Sequence, residues 1–407
     1  MSEHNFPDAA MPAGGVARPR TWNVLIRMLL VQIAATSSIL GLTALAPDAS
    51  QTLGVGAHWI GYQVSFIYFA GLFASLGAGS LTARWSAGRI ISAELALILA
   101  GLALLVSAVP VAMVVGSVLL GLAYGINNPA SSEILQGVVT ARNRSLVFSL
   151  KQAGVPLGAM LASAGLPIVA EMTGGWAPAL LSLMALPLAL LLLPMGRTPD
   201  LGRKRVRGSG VLARMLTEQR RIFVDPALRT LAALGCLYSA MQLTVTAFAV
   251  VSLVEIGWSV PQAGLAGAVL QVAGAIGRVG WGLAADKVGI FRVLSALGFG
   301  GAALSLALWW QPILPVVVLV PTMIALGACA TGWNGVFLSA IARSAPEGEI
   351  GAVTGAILAY TFIGAILGPS IFALTFSSVG SYPACFAIFA SAGLLGGILG
   401  WKQATRT

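Results

Sequence analysis

Residues 260–283 read VPQAGLAGAVLQVAGAIGRVGWGL, an apolar run that carries a single charge, Arg278. A helix needs about 20 mostly apolar residues to cross a bilayer, and this run reaches that length. Eleven further runs of the same kind lie at about 22–46, 57–80, 89–108, 110–136, 145–170, 176–196, 229–254, 290–310, 312–342, 351–377 and 382–401. The sequence therefore predicts an all-α membrane protein with twelve transmembrane helices.

The composition supports a lipid environment and excludes several classes of function. Hydrophobic residues make up 57% of the chain and charged residues only 9%, whereas soluble domains carry about 25% charged residues. The 3 cysteines form no CxxC pair and the chain has only 2 histidines, so no metal site and no cofactor is predicted. The net charge is +10, but the basic residues that produce it lie at the ends of apolar runs, which argues against a nucleic-acid partner.

Polar stretches divide the chain into two sets of six runs. The linker between them carries eight basic residues from Arg197 to Arg221. Two interpretations of this cluster remain open: a solvated linker, or a contact with anionic lipid. The predicted organisation is a disordered cytoplasmic tail at 1–21, a six-helix bundle at 22–196, a cytoplasmic linker at 197–228, a second bundle at 229–401 and a short tail at 402–407.

The distribution of Lys and Arg predicts the orientation. With the N-terminus inside, every Lys and Arg outside the spans falls on the cytoplasmic side, and the outer loops carry only Asp48, Glu171 and Glu255. Because cytoplasmic loops are enriched in Lys and Arg, both termini are expected in the cytoplasm. We expect a multi-pass protein of a bacterial inner (plasma) membrane, with the lipid bilayer as its surroundings.

The two sets of runs resemble each other at near-constant spacing, which indicates an internal duplication. A shift of 203 positions brings the glycines of run two onto those of run eight: Gly61, Gly71, Gly77 and Gly79 meet Gly264, Gly274, Gly280 and Gly282. A shift of 206 positions brings Asn128 onto Asn334. Two repeats in the same orientation form one large class of transporter.

The loop after run eight reads Gly282-Leu283-Ala284-Ala285-Asp286-Lys287-Val288-Gly289. The loop after run two is a degenerate copy that keeps Gly79 and Arg84 but has Ala83 at the Asp position. With this motif the whole chain resembles the major facilitator superfamily. The resemblance implies two pseudo-symmetric six-helix bundles that rock around a central site, usually as a monomer. It implies a gating role for Gly79, Arg84, Gly282, Asp286, Lys287 and Gly289, with unequal latches because Ala83 is not acidic.

Arg278 lies eight residues before Asp286, or roughly 12 Å deeper at 1.5 Å per residue. A charge in mid-membrane costs at least about 2.5 kcal/mol, so it needs a reason. Gln271 lies seven residues earlier on the same face. The stretch Gly277–Gly282 resembles the eighth helix of monocarboxylate and oxalate–formate carriers, which implies that Arg278 binds the substrate anion. Gly274 stands where the monocarboxylate carriers have Asp, so no proton coupling is expected there; a structural role for Arg278 stays open.

Lys151 lies seven residues past Arg144 at a similar depth. In the fold that the resemblance implies, runs five and eight are neighbours, so Lys151 and Arg278 can form a two-cation site. The alternative is that Lys151 pairs with Glu133 of run four. Glu133 is the candidate proton-coupling residue, because a carboxyl group buried in lipid can carry a proton. Glu94 is expected to form a salt bridge with Arg89 that latches a loop.

Further polar side chains recur at helical spacing and predict the wall of a central cavity. Pairs four residues apart share one helix face. The alternative interpretation of these pairs is hydrogen bonding between helices. The predicted substrate-binding set comprises Arg278, Lys151, Gln271, Asn128, Asn334, Tyr124, Gln242, Gln32 and Tyr360.

Three classes of function follow. The first is a secondary active transporter that moves a small organic anion, coupled to protons or another ion. The second is a drug or metabolite efflux antiporter of the same superfamily, for which two buried cations are a poor match to cationic drugs. The third is a membrane enzyme or sensor, and the sequence contains no HExxH, nucleotide loop or histidine cluster to support it. We therefore expect a transporter, not an enzyme.

Overall fold

The structure is a computed structural model, and it describes residues 21–54, 57–140, 142–193 and 211–406. The predicted tail at 1–21, apart from Thr21, and the first part of the predicted linker lie outside these residues. In the described residues the chain folds into eighteen α-helices with a π-helical turn and a 3₁₀ turn.

The helices of the first half follow the predicted runs, except that a short helix, α2, lies between the first two runs and a further helix, α11, lies in the predicted linker. They are α1 Thr21–Ala44, α2 Ala46–Leu53, α3 Ala57–Arg84, α4 Ala87–Leu105, α5 Pro110–Gln136, α6 Arg144–Gln152, α7 Gly154–Met160, the π turn Leu161–Gly165, α8 Leu166–Thr173, α9 Trp176–Ser182, α10 Ala185–Leu192 and the linker helix α11 Val211–Val224.

The second half contains longer helices. They are α12 Pro226–Glu255, α13 Val260–Val288, α14 Ile290–Ala307, the 3₁₀ turn Leu308–Trp310, α15 Val316–Gly332, α16 Asn334–Ser344, α17 Ile350–Val379 and α18 Tyr382–Ala404. Within the described residues, eleven helical stretches are long and apolar enough to cross a membrane. The shorter apolar stretch Trp176–Leu192 is the remaining predicted span, so the predicted twelve-helix membrane architecture is confirmed.

Local sequence signals set several helix ends. The Ser86 side chain caps α4 by accepting from the N–H of Arg89, and Asp225 caps α12 by accepting from two N–H groups of its first turn. Ser259 and Gln262 form a capping box at the start of α13. These side chains accept hydrogen bonds from helix N–H groups that have no partner inside the helix.

Two spanning segments are interrupted near their middle, and each interruption leaves a main-chain carbonyl oxygen without its helical hydrogen-bond donor. The fifth span changes from α6 to α7 at Ala153. Pro156 follows four residues after Gln152 and has no N–H, so the carbonyl oxygen of Gln152 lacks its helical donor. The tenth span is interrupted at Trp333, which leaves Thr331 in the last turn of α15, where carbonyl groups also lack helical partners.

The two halves meet along two seams on the side where α1 begins and α18 ends, which we call the tail side. The first seam is the crossing of α3 with α17. A Cβ atom on Gly355 would collide with Ala78 and with the carbonyl oxygen of Ser75, so only glycine permits this approach. The second seam joins α6 to α13 and α16, and there the hydroxyl groups of Ser145 and Ser339 lie 3.0 Å apart.

The linker helix α11 packs across the tail side, in contact with α3, α12 and α17. Ile222 is 2% exposed and Glu218 is 8% exposed. Arg221 forms an ion pair with Glu349, in the turn before α17. This second part of the linker is thus an ordered amphipathic helix, which corrects the interpretation of the whole segment as a solvated linker.

Candidate functional site

A cavity of about 190 Å³ lies between the halves, on the other side of Arg278 from the tail side. Its wall combines aromatic rings with uncharged polar groups, among them Thr36, Tyr68, Tyr124, Asn128 and Gln152 from the first half and Gln242, Gln271, Trp333, Asn334 and Phe362 from the second. No side chain in this described wall carries a formal charge. The volume is below the range of drug-sized pockets, so a small ligand matches it best.

Lys151 lies directly behind this wall and is 1% exposed. Its ammonium group donates to the side-chain oxygens of Gln32, Asn127 and Asn128 at 2.6–2.7 Å and lies 3.3 Å from that of Gln152. An ammonium has three donors, so these amides satisfy it fully. Asn128 and Gln152 also line the cavity, which places the charge of Lys151 one side chain away from the cavity.

The Lys151 network ends at a buried acid. Asn127 accepts from Lys151 through its oxygen and donates through its nitrogen to Glu94 Oε1 at 2.6 Å. Glu94 is fully buried, whereas Arg89 is exposed. The predicted Glu94–Arg89 loop latch is therefore corrected: Glu94 points into the bundle.

Glu133 does not accept from Lys151. Its carboxylate lies at the first seam, where a Cβ atom on Gly351 would be 3.1 Å from Glu133 Oε2. The alternative pairing of Lys151 with Glu133 is therefore wrong, and the acid that connects to Lys151, through Asn127, is Glu94.

Arg278 connects the two halves and is 2% exposed. Its Nε donates to the carbonyl oxygen of Thr331 at 2.9 Å, and its Nη1 donates to the carbonyl oxygen of Gln152 in the first half. Both acceptors are the main-chain groups that the helix interruptions release. In the described part of the chain, hydrogen bonds engage two of the five N–H donors of the guanidinium. The two predicted cations thus meet at Gln152: its side-chain oxygen lies next to Lys151, and its main-chain carbonyl oxygen accepts from Arg278.

Of the remaining predicted residues, some line the cavity and others contact groups outside it. Gln242 accepts from Trp333 at 3.0 Å and from Asn334 at 2.9 Å, which fixes the second-half wall. Gln32 is fully buried and serves Lys151 rather than the cavity. Tyr360 donates to Gln219 of α11 at 2.8 Å, so its assignment to the substrate site is corrected.

One copy of the loop motif lies at each seam, and the two copies make different kinds of contact. The carboxylate of Asp286 accepts from the main-chain N–H groups of Ser145 and Leu146 at 3.0 Å each, in the first turn of α6. A carboxylate at a helix N-terminus is favourable for the helix dipole as well. Lys287 and Arg84 are exposed. The degenerate copy, which has Ala83 at the Asp position, makes a packing contact at the first seam instead, where Thr82 lies against Gly351.

Asn127 and Gln152 are site residues that sequence reasoning missed as participants. Both stand next to residues that it selected, Asn128 and Lys151. The available signal was position, because Asn127 directly precedes Asn128 in α5 and Gln152 directly follows Lys151. A lysine in lipid needs several oxygen acceptors, which would also have drawn attention to neighbouring amides.

Comparisons with known proteins agree with this architecture. A family model described as "Major Facilitator Superfamily" matches residues 28–369. A search of curated proteins finds no match. Among solved structures, the chain is similar to the E. coli fucose:proton symporter FucP, with 15% identity over 93% of this chain and 97% of that one and a TM-score of 0.73.

Two other solved structures have the same fold. The proton:xylose symporter XylE is 17% identical over 94% of this chain and 95% of that chain, with a TM-score of 0.72. The human organic anion transporter MFSD10 is 17% identical over 94% of this chain and 100% of that chain, with a TM-score of 0.75. At these identities the likeness concerns the fold alone.

Proposed function

Because the chain belongs to the major facilitator superfamily, and is thus a transporter rather than an enzyme, we propose that it carries a small organic anion of monocarboxylate size by alternating access. The observation that carries this proposal is the placement of Lys151 and Arg278 on the two oxygens of Gln152, one layer behind an uncharged cavity wall. Among the described residues, the acid connected to this pair is Glu94, which reaches Lys151 through Asn127.

The charge balance favours an anionic solute. With Glu94 ionised, the three groups sum to one positive charge next to the cavity. Electrostatic interactions are strong in a low-dielectric site, so this excess attracts a carboxylate that enters from the open side of the cavity. Since the described residues engage two of the five N–H donors of Arg278, its guanidinium can donate to a planar anion after a small rearrangement of Gln152.

The direction of access follows from the seams. We propose that the cavity in this conformation opens away from the tail side, because the contacts of Asp286, Ser145 and Gly355 close the tail side. At the cavity itself the halves touch where Phe362 meets Tyr68 and Tyr124. We infer from the Lys and Arg distribution that both termini are cytoplasmic; if the membrane is a bacterial inner membrane, as we propose, the opposite side is the periplasm. We propose proton coupling, which is also a property of two proteins of the same fold, the fucose:proton and proton:xylose symporters.

A neutral sugar is the second candidate cargo. The uncharged, amide- and aromatic-rich wall favours it, because such groups match hydroxyl donors and sugar faces. The same two symporters carry sugars, whereas the human protein of this fold is an organic anion transporter.

A thermal-shift screen of the purified protein separates these candidates. The panel is lactate, acetate, L-fucose, D-xylose and the lipophilic cation tetraphenylphosphonium, each at the same ionic strength. A ligand at 100 times its Kd stabilises the folded state by about 2.7 kcal/mol. We expect a rise of the melting temperature with a carboxylate that is absent in Arg278→Lys. A rise with sugars alone contradicts the anion proposal, and a rise with tetraphenylphosphonium alone favours an exporter.

A further inference from the structure

Glu94 is a fully buried acid with one oxygen unused in the described structure. Its Oε1 accepts from Asn127, and its Oε2 is buried without a hydrogen-bond partner. It lies eight residues from the capping Ser86, or roughly 12 Å along α4. A carboxylate at this depth is costly unless its charge is compensated, and a free oxygen is the place where a proton binds.

The groups around Glu94 leave Lys151 as its charge partner. Asn127 connects the two side chains, and they interact electrostatically. Arg27 of α1 donates to the carbonyl oxygens of Leu190 and Leu193 in α10. The other titratable or charged side chains described on α4 and on the helices packed against it are Arg84, Arg89, Tyr68, Tyr124 and Glu133: both arginines are exposed, both tyrosines line the cavity and Glu133 lies at the first seam.

We propose that Glu94 is the group that takes up and releases the transported proton, and that Asn127 and Lys151 connect its protonation state to the solute cavity. This inference rests on the proposed function for its coupling step. It replaces Glu133, the candidate from sequence, because Glu133 lies at the seam and not in the Lys151 network.

The coupling follows from charge. Uptake of a proton converts the Glu94 carboxylate to a neutral carboxyl group and leaves the ammonium of Lys151 without a compensating negative charge. The net charge behind the cavity wall changes from one to two positive charges, so the affinity for an anion rises. By linkage, a bound anion must favour protonation of Glu94 to the same extent. Proton and anion therefore bind together and leave together.

The first experiment needs no solute. Dicyclohexylcarbodiimide reacts with protonated carboxyl groups in apolar surroundings, and peptide mass spectrometry locates the adduct. We expect labelling of Glu94 that declines as the pH of labelling is raised, and no adduct on that peptide in Glu94→Gln. Glu133→Gln is the matched control and should leave labelling at Glu94 unchanged. A folded protein in which Glu94 stays unlabelled from pH 5 to pH 8 overturns the proposal.

The second experiment measures coupling in proteoliposomes with radiolabelled lactate as the probe. Glu94→Gln keeps an oxygen for Asn127 and imitates the protonated state, so lactate counterflow should persist while accumulation driven by a pH gradient is lost. Glu94→Asp keeps a titratable group and should retain some accumulation. Gradient-driven accumulation by Glu94→Gln at the wild-type level refutes the inference. Absence of lactate counterflow in the wild type counts against the proposed cargo, and the labelling experiment then decides the role of Glu94 independently.

Discussion

The guanidinium of Arg278 donates a hydrogen bond to the main-chain carbonyl oxygen of Gln152, across the boundary between the two halves of the molecule. The acceptor is available because Pro156 cannot donate to it, and the side chain of the same Gln152 faces Lys151. This link lies at the depth where the closed seams end and the cavity begins. Any change that separates the halves on the tail side must break it.

Replacement of Arg278 by Lys tests whether the planar fork is needed. A lysine keeps the charge but cannot reach Thr331 and Gln152 in one plane. Loss of one charge-assisted hydrogen bond costs about 1.5–3 kcal/mol, so we expect lactate uptake to fall by roughly 10-fold to 100-fold at normal expression. The exposed Arg292→Lys is the control. Uptake at the wild-type rate in Arg278→Lys argues against a role in binding.

Replacement of Lys151 by Met tests the amide network. The change leaves the buried oxygens of Gln32, Asn127 and Asn128 without their donor. Each unsatisfied buried acceptor costs about 1–3 kcal/mol, so we expect a lower melting temperature in detergent. Combination with Glu94→Gln should recover part of the loss, because it removes the uncompensated charge at the end of the network. Strictly additive effects of the two changes would show that Glu94 and Lys151 are not coupled.

Replacement of Gly355 by Ala tests the glycine seam. The added methyl group collides with Ala78 and Ser75 of the other half, and overpacking of this kind costs about 1–3 kcal/mol. We expect the tail side to open, seen as a longer distance between spin labels at positions 84 and 343. Gly77→Ala is the matched control, since nothing lies within 4 Å of its added Cβ atom. An unchanged distance in Gly355→Ala would mean that the seam accommodates the methyl group.

Replacement of Asp286 by Asn tests the polar seam. Asparagine offers one acceptor oxygen and no charge to the N–H groups of Ser145 and Leu146, and capping changes of this type cost about 0.5–2 kcal/mol. The same spin-label pair should show a larger open population. Lys287→Ala alters an exposed neighbour and should not change the distribution. If both variants behave alike, the motif does not act through the carboxylate.

Apolar run length and the internal repeat were sufficient to predict the fold, because lipid leaves few alternatives to a bundle of helices. The burial of Arg278 and Lys151 also followed from depth along their helices. The role of Glu94 was missed because its nearness to Arg89 in sequence suggested a surface pair. Glu94 shares the buried face of α4 with Ile91, Leu95 and Ile98, and helical periodicity could have shown this.

Other features depend on contacts between distant segments. The side chains that line the cavity depend on how each helix is rotated within the bundle. The sequence does not show this rotation, so the assignment of Tyr360 to the cavity rested on its residue type alone. Its true partner, Gln219, belongs to a linker that the sequence presents as a charge cluster. The carbonyl oxygens of Gln152 and Thr331 are main-chain groups, and no side-chain pattern identifies them as the acceptors for Arg278.

The linker helix α11 connects the two halves on the tail side. It contacts α3 of the first half while Arg221 and Gln219 attach it to the second. Opening of the tail side must therefore detach α11 from one of the two halves. The side chains of Arg221 and Glu349 are 34% and 17% exposed, so dissolved salt weakens this clasp. We therefore expect the open population of the tail side to rise with ionic strength on that face, whatever the lipid composition.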